Sequence, residues 1–139
     1  QATDTVIVTS EEEAEQAYER AKQYVFDRDY EAAVSAFEAV TELYPNSEQS
    51  GNAFYWLGEM YLVVEQPDID KAAESFIKSI ENEPGSARKP DALIRAAQTL
   101  EALGQPNAAK EFAKQLVNDY PEHNQVPDAQ LLIERLSTS

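Results

Sequence analysis

The chain has 139 residues, of which 42% are hydrophobic, no cysteine, and a net charge of −15. Its length suits one domain with a continuous core, and the absence of cysteine removes disulfides, thiolate metal sites and Cys nucleophiles. The acidity excludes nucleic acid and anionic membrane surfaces, which need clustered Lys and Arg, and favours a basic or amphipathic protein partner.

Residues 1–9 are read as a flexible linker, within which Val6-Ile7-Val8 is the one stretch able to pack on a following helix. The chain starts at Gln1 rather than Met, which is read as a trimmed or processed N-terminus. A helix is expected over 10–27, with Ser10 and Glu13 as a capping box and Ala17, Ala21 and Tyr24 on one face. Asp29 is expected to cap a second helix over 30–44, carrying Tyr30, Ala33, Phe37 and Val40. Helices over 51–65 (capped by Ser50) and 69–82 follow. Their apolar faces are Phe54, Leu57, Gly58 and Tyr61, then Ile69, Ala72 and Phe76. Pro90 and Pro127 suit the first turn of helices over 90–103 and 127–136. Gly104 can take a left-handed turn before a helix over 106–119. No apolar run approaches the roughly 20 residues of a membrane span, so no membrane insertion is expected.

These elements repeat. Tyr44-Pro45-Asn46-Ser47, Glu83-Pro84-Gly85-Ser86 and Tyr120-Pro121-Glu122-His123 are three versions of one turn, and their prolines lie 39 and 37 residues apart. Helix pairs at this period cannot bury their apolar faces alone and must stack. The expected fold is all-α: a tetratricopeptide right-handed superhelix over 10–139. Its repeats run about 14–47, 51–86 and 90–123, with a capping helix at 127–136. Small residues Ala21, Gly58 and Ala97 fall where paired helices approach. The pattern departs from the usual one in three places. Gln66-Pro67 lengthens the second repeat's turn, Arg28 replaces the turn glycine, and Ala113 replaces the usual Phe, with Phe112 one place earlier.

At Ser50-Gly51-Asn52-Ala53-Phe54-Tyr55-Trp56-Leu57-Gly58-Glu59 the chain resembles the C-terminal domain of the Tol–Pal-system tetratricopeptide proteins, the cell division coordinators (YbgF/CpoB). The likeness covers about residues 14–136. It implies a periplasmic, non-catalytic scaffold that associates with TolA and links peptidoglycan synthesis to outer-membrane constriction. It also implies a repeat domain that is monomeric alone, within a full-length protein that trimerises through a coiled coil. The outer-membrane protein assembly lipoproteins, which share the Tyr-Pro-x-Ser turns, are the second resemblance. A clamp for acidic C-terminal tails ranks lower, because an acidic groove would repel such a tail.

The residues supply no coherent catalytic constellation, and no enzyme activity or cofactor is expected. His123 is read as a solvent-exposed turn residue. Asp27/Asp29 and Asp68/Asp70 are read as helix-turn groups, with weak calcium binding left open. Trp56 is read as packing between helices. The first helix of each pair should line a concave groove. Repeat position assigns it Glu15, Tyr18, Lys22 and Val25, then Asn52, Tyr55, Glu59 and Leu62, then Asp91, Ile94, Gln98 and Glu101. Asp128, Leu131 and Arg135 continue the line on the cap. Tyr18 and Tyr55 have two open readings, anchors for a peptide or cover for a seam between helices.

Overall fold

The computed structural model describes residues 9–138. Residues 1–8, and with them Val6-Ile7-Val8, lie outside the described residues. Seven helices follow in order: α1 (Ser10–Phe26), α2 (Tyr30–Leu43), α3 (Glu48–Val63), α4 (Ile69–Glu81), α5 (Lys89–Ala102), α6 (Pro106–Asp119) and α7 (Val126–Ser137). Each packs on its neighbours in sequence, and α3 also meets α1 and α5. Three antiparallel pairs and a last single helix are therefore stacked side by side.

Two expected caps are displaced by one turn or less. Thr9, not Ser10, caps α1, its Oγ1 accepting from the Glu12 N–H at 3.1 Å, while Ser10 is the first helical residue. Ser47, not Ser50, caps α3. Its Oγ accepts from the Ser50 N–H at 3.1 Å and donates to the Tyr44 carbonyl at 2.7 Å. A serine that satisfies both the leaving and the entering helix starts α3 early, and Ser50 becomes buried. Asp29 caps α2 as expected, and Asp68 caps α4.

The turns explain the departures from the repeat. Gly104 has φ +76 between α5 and α6, and Arg28 has φ +61 at the equivalent place between α1 and α2. In both turns the next amide, of Asp29 or Gln105, donates back to a helical carbonyl, of Tyr24 or Leu100, at 2.9 Å. That closing bond holds Arg28 in a conformation better suited to glycine. Gln66-Pro67 makes the α3–α4 turn five residues, 64–68, against three in 27–29 and 103–105.

Pair contacts rest on small residues against rings. A Cβ added to Gly58 would stand 2.4 to 2.6 Å from ring atoms of Phe76, itself fully buried. Phe37 and Ala21 are likewise 0% exposed in the first pair. In the third pair Ala113, not Phe112, holds the fully buried position. Phe112 packs only at the edge of the cluster that contains Ala97. One core cluster spans α1–α3 and another α4–α7, and Tyr61 packs against both, so apolar contact runs through the stack. Where Leu93, Ala97 and Leu100 of α5 are buried, α7 carries exposed Gln130, Glu134 and Ser137, 37 residues on. That polar outer face suits the last helix of a stack.

Gly58→Ala should lower stability by about 1–3 kcal/mol, because the fully buried Phe76 ring must shift to admit the new Cβ. Thermal unfolding followed by circular dichroism measures it.

Candidate interaction groove

α1, α3, α5 and α7, the first helices of each pair and the cap, lie side by side, and polar bonds tie each to the next. Between α1 and α3, the Trp56 indole Nε1 donates to the Tyr18 hydroxyl at 2.8 Å. Between α3 and α5, Arg95 grips Glu59 with two donors, Nε at 2.7 Å and Nη2 at 3.1 Å. The same guanidinium donates to Gln98 at 2.7 Å. Between α5 and α7, Arg135 grips Glu101 in the same bidentate way, at 2.9 and 2.7 Å. Two-pronged pairs of this kind fix orientation as well as distance.

The aromatic part of the surface is centred on α3. Trp56 stacks on Phe37 with rings 5° from parallel, and Tyr55 meets Trp56 edge-on and Phe76 at a tilt. The Arg88 guanidinium lies over both the Tyr55 and Trp56 rings, 5.0 and 5.3 Å from their centroids. Arg88 also donates to Asp91 at 3.1 Å. Lys22 sits over Tyr18 at 5.3 Å and pairs with Glu19. Burial, followed by the charges of Glu59 and Asp91, raises the Tyr55 phenol far above its ordinary range. Burial also raises Tyr18, against the lowering effect of its bond from Trp56.

His123 is not the exposed turn residue expected. Its side chain is 18% exposed and its Nε2 lies 3.0 Å from Asp91 Oδ1. The Gln125 N–H donates to Nδ1, so Nδ1 is unprotonated and the proton sits on Nε2, donating to Asp91. Neutral imidazole therefore satisfies both partners, fastening the start of α7 to α5. The aspartates of the other turns also have local partners: Asp29 and Asp68 accept helix amides, and Asp27 accepts from Gln23. Among the described residues no group of three acidic, His or Cys side chains is placed to hold a metal ion.

The groove residues named from the sequence divide by exposure. Lys22, Tyr55, Glu59, Leu62, Asp91, Gln98 and Glu101 are half-buried, Glu15 is exposed, and Leu131 is 60% exposed at the cap. Ile94 departs from its expected place: at 0% exposure it belongs to the core and offers a partner nothing. Tyr18 and Asn52, 6% and 8% exposed, are nearly closed off as well. Sequence spacing missed Arg88, Arg95 and His123. Each contacts a residue 32 to 36 places away, or the ring of one, which local periodicity does not register. This face is also less acidic than expected, since Arg88 and Arg95 join the expected Lys22 and Arg135 among its carboxylates.

A family model described as "YfiO: Outer membrane lipoprotein" matches residues 10–138, nearly all of this architecture. The chain belongs to that family. The resemblance placed second in the sequence is thus the one whose model spans the chain. The resemblance placed first also stands, over a shorter stretch. The cell division coordinator CpoB of Pseudomonas putida is 44% identical over 45 residues, 32% of this chain and 17% of that relative's length. Solved structures of low identity share the tetratricopeptide fold. The second TPR domain of human RPAP3, solved in complex with the HSP70 peptide SGPTIEEVD, has a TM-score of 0.72 at 14% identity, over 94% of this chain and 100% of that one. The Yersinia enterocolitica type III secretion translocator chaperone SycD has a TM-score of 0.71 at 21% identity, over 94% and 87%. The Arabidopsis OM64 TPR domain has a TM-score of 0.70 at 14% identity, over 92% and 97%. The chain has the fold of a CpoB-like tetratricopeptide domain, an architecture of the protein-interaction type.

Two measurements test this geometry. A double-mutant cycle on Glu59→Gln and Arg95→Gln should return a coupling of about 1 kcal/mol, above an ordinary surface pair because both side chains are mostly shielded. Tyr61 donates to Glu38 at 2.9 Å, and burial followed by that bond pushes its phenol up to about 12. A phenol raised in the folded state favours folding fully below its unfolded value of about 10, and that contribution disappears as pH climbs toward 12. In Tyr61→Phe, tyrosinate absorbance should therefore lose a phenol titrating at about 12, and stability should fall less steeply across that interval.

Proposed function

We propose that this chain is a non-catalytic scaffold of the bacterial periplasm that holds a segment of another envelope protein along the surface formed by α1, α3, α5 and α7. The observation that carries the reading is the row of half-buried aromatic and polar side chains centred on Tyr55, Trp56 and Gln98. Tyr55 and Trp56 pack at the edges of the core clusters while keeping part of their surface accessible, and Arg95 orients Gln98 beside them. Support for an envelope setting comes from the family description, an outer membrane lipoprotein, and from the partial likeness to CpoB. Neighbours of the same fold include complexes with an HSP70 peptide and with a peptide of the translocator YopD. They support a peptide-sized occupant.

On the CpoB likeness, the partner is TolA, and the scaffold couples peptidoglycan synthesis to constriction of the outer membrane. The family match across residues 10–138 favours a second reading, in which the partner belongs to the assembly of outer-membrane proteins. Calorimetric titration of the chain with the periplasmic part of TolA separates the two. The first reading predicts saturable binding that Gln98→Trp, which fills the groove, weakens about tenfold while helicity stays unchanged. Absence of heat with TolA transfers the proposal to the second reading. Binding to TolA that Gln98→Trp leaves untouched refutes the groove.

A further inference from the structure

The face formed by α1, α3, α5 and α7 differs at its two edges. Equivalent residues on α1, α3 and α5 are 37 and 39 positions apart, so they fall into rows across it. On α1 and α3 the rows nearest the helix starts are acidic and polar, Glu11 with Glu48 and then Glu15 with Asn52. The row nearest the helix finishes is apolar. Phe26, Val63 and Ala102 stand one turn beyond Lys22, Glu59 and Gln98, and Phe26 and Val63 are 71% and 50% exposed. Large apolar side chains left in water at the same place in successive repeats suit an interface.

At the acidic edge an opening of about 300 Å³ lies between α1 and α3, walled by Glu11 and Glu15 on one side and Glu48 and Gln49 on the other. No Lys or Arg lines it, and none of these three glutamates has an ion pair among the described residues. The cations of the face are engaged elsewhere: Lys22 by Glu19, Arg88 by Asp91, Arg95 by Glu59 and Arg135 by Glu101. Behind the wall a donor is missing as well. Asn52, 8% exposed, donates Nδ2 to Gln49 at 3.0 Å, while its Oδ1 is buried without a hydrogen-bond partner. Buried acceptors are ordinarily satisfied. Three uncompensated carboxylates and an orphaned acceptor together fit a positively charged donor.

We infer that the occupant of the groove is an amphipathic helix lying across α1 and α3, with Lys or Arg along the flank facing the helix starts and aliphatic side chains along the flank facing Phe26 and Val63. The inference rests on the groove of the proposed function and adds the chemistry of what fills it. Glu15 and Phe26 are separated by roughly 16 Å along α1, at about 1.5 Å per residue. A helix about 10–12 Å wide with an outstretched basic side chain covers that span, and a single extended strand does not. One basic side chain enters the opening between α1 and α3, where its N–H groups reach the Asn52 carbonyl as Gln49 swings aside. The other flank removes Phe26 and Val63 from water. Charge sets which flank faces which edge, since the reverse would lay aliphatic groups on the glutamates.

Three capped Ala-rich helical peptides test it. One carries a Lys flank and a Leu flank, the second has Glu in place of Lys, and the third has Gln in place of Leu. Each is titrated into the 15N-labelled full chain. The Lys–Leu peptide should bind about tenfold tighter than either other, with amide shifts at Gln49 and Val63. Glu15→Gln combined with Glu48→Gln should weaken it about fivefold, and so should Phe26→Ser. Glu31→Gln combined with Asp70→Asn, an equal loss of charge on α2 and α4, should leave it unchanged; all five positions are exposed. Equal weakening by both acid pairs, as bulk attraction to a chain of net charge −15 would give, overturns the inference. So do a Lys–Gln peptide that binds as tightly as Lys–Leu, shifts that avoid the groove, or no binding. Any of these beside TolA binding that Gln98→Trp weakens removes the chemistry and keeps the groove; beside TolA binding that Gln98→Trp leaves untouched, it removes both.

Discussion

Between α3 and α4 the Phe76 ring stands where a side chain on residue 58 would be, and only glycine permits it. Much of the rest follows from contacts of this kind. A helix pair closed on a ring against a small residue buries one face of each helix and leaves the other faces apolar and unpaired. Those faces are buried only by adding the next pair, which is why the chain repeats near every 37 to 39 residues and why contacts run mainly between neighbours. Tyr61, packed against both core clusters, is where the first part of the stack is joined to the second.

The polar bonds between α1, α3, α5 and α7 do a different task from the core. Apolar packing is non-directional and tolerates sliding, whereas a bidentate guanidinium–carboxylate pair tolerates little. Arg95 on Glu59 and Arg135 on Glu101 therefore help hold successive helices of this face in a fixed relation. Neutral His123 on Asp91 does the same for the last helix. In a molecule of net charge −15, having the cations of this face paired in place also keeps it from collapsing onto stray acids or repelling itself apart.

Helices and their order were legible because their signals are local. Prolines at first turns, Gly104, Asp29 and the alternation of small and large apolar residues all act within one or two helical turns. The caps at Thr9 and Ser47 were misplaced because two hydroxyl residues stood close together in each case, and backbone geometry alone decides between them. The side chains of the first-helix face were legible only in part. Repeat position named Tyr55, Glu59 and Gln98, which are half-buried, but Ile94 lies in the core, since the spacing that names a concave position says nothing of how closely the next helix covers it. Arg88, Arg95 and His123 were beyond reach for a further reason. Their partners lie a repeat away, and a charged residue on a helix surface resembles every other one until the neighbouring helix is in place.

The most direct measurement of the stack is native-state hydrogen exchange, read helix by helix. A row of helices stabilised by nearest neighbours should protect α3, α4 and α5 most, because they lie farthest from the two ends of the row, with protection declining toward α1 and toward α7. Equal protection throughout, or greatest protection in α1 or α7, would mean a single global core and would contradict the account.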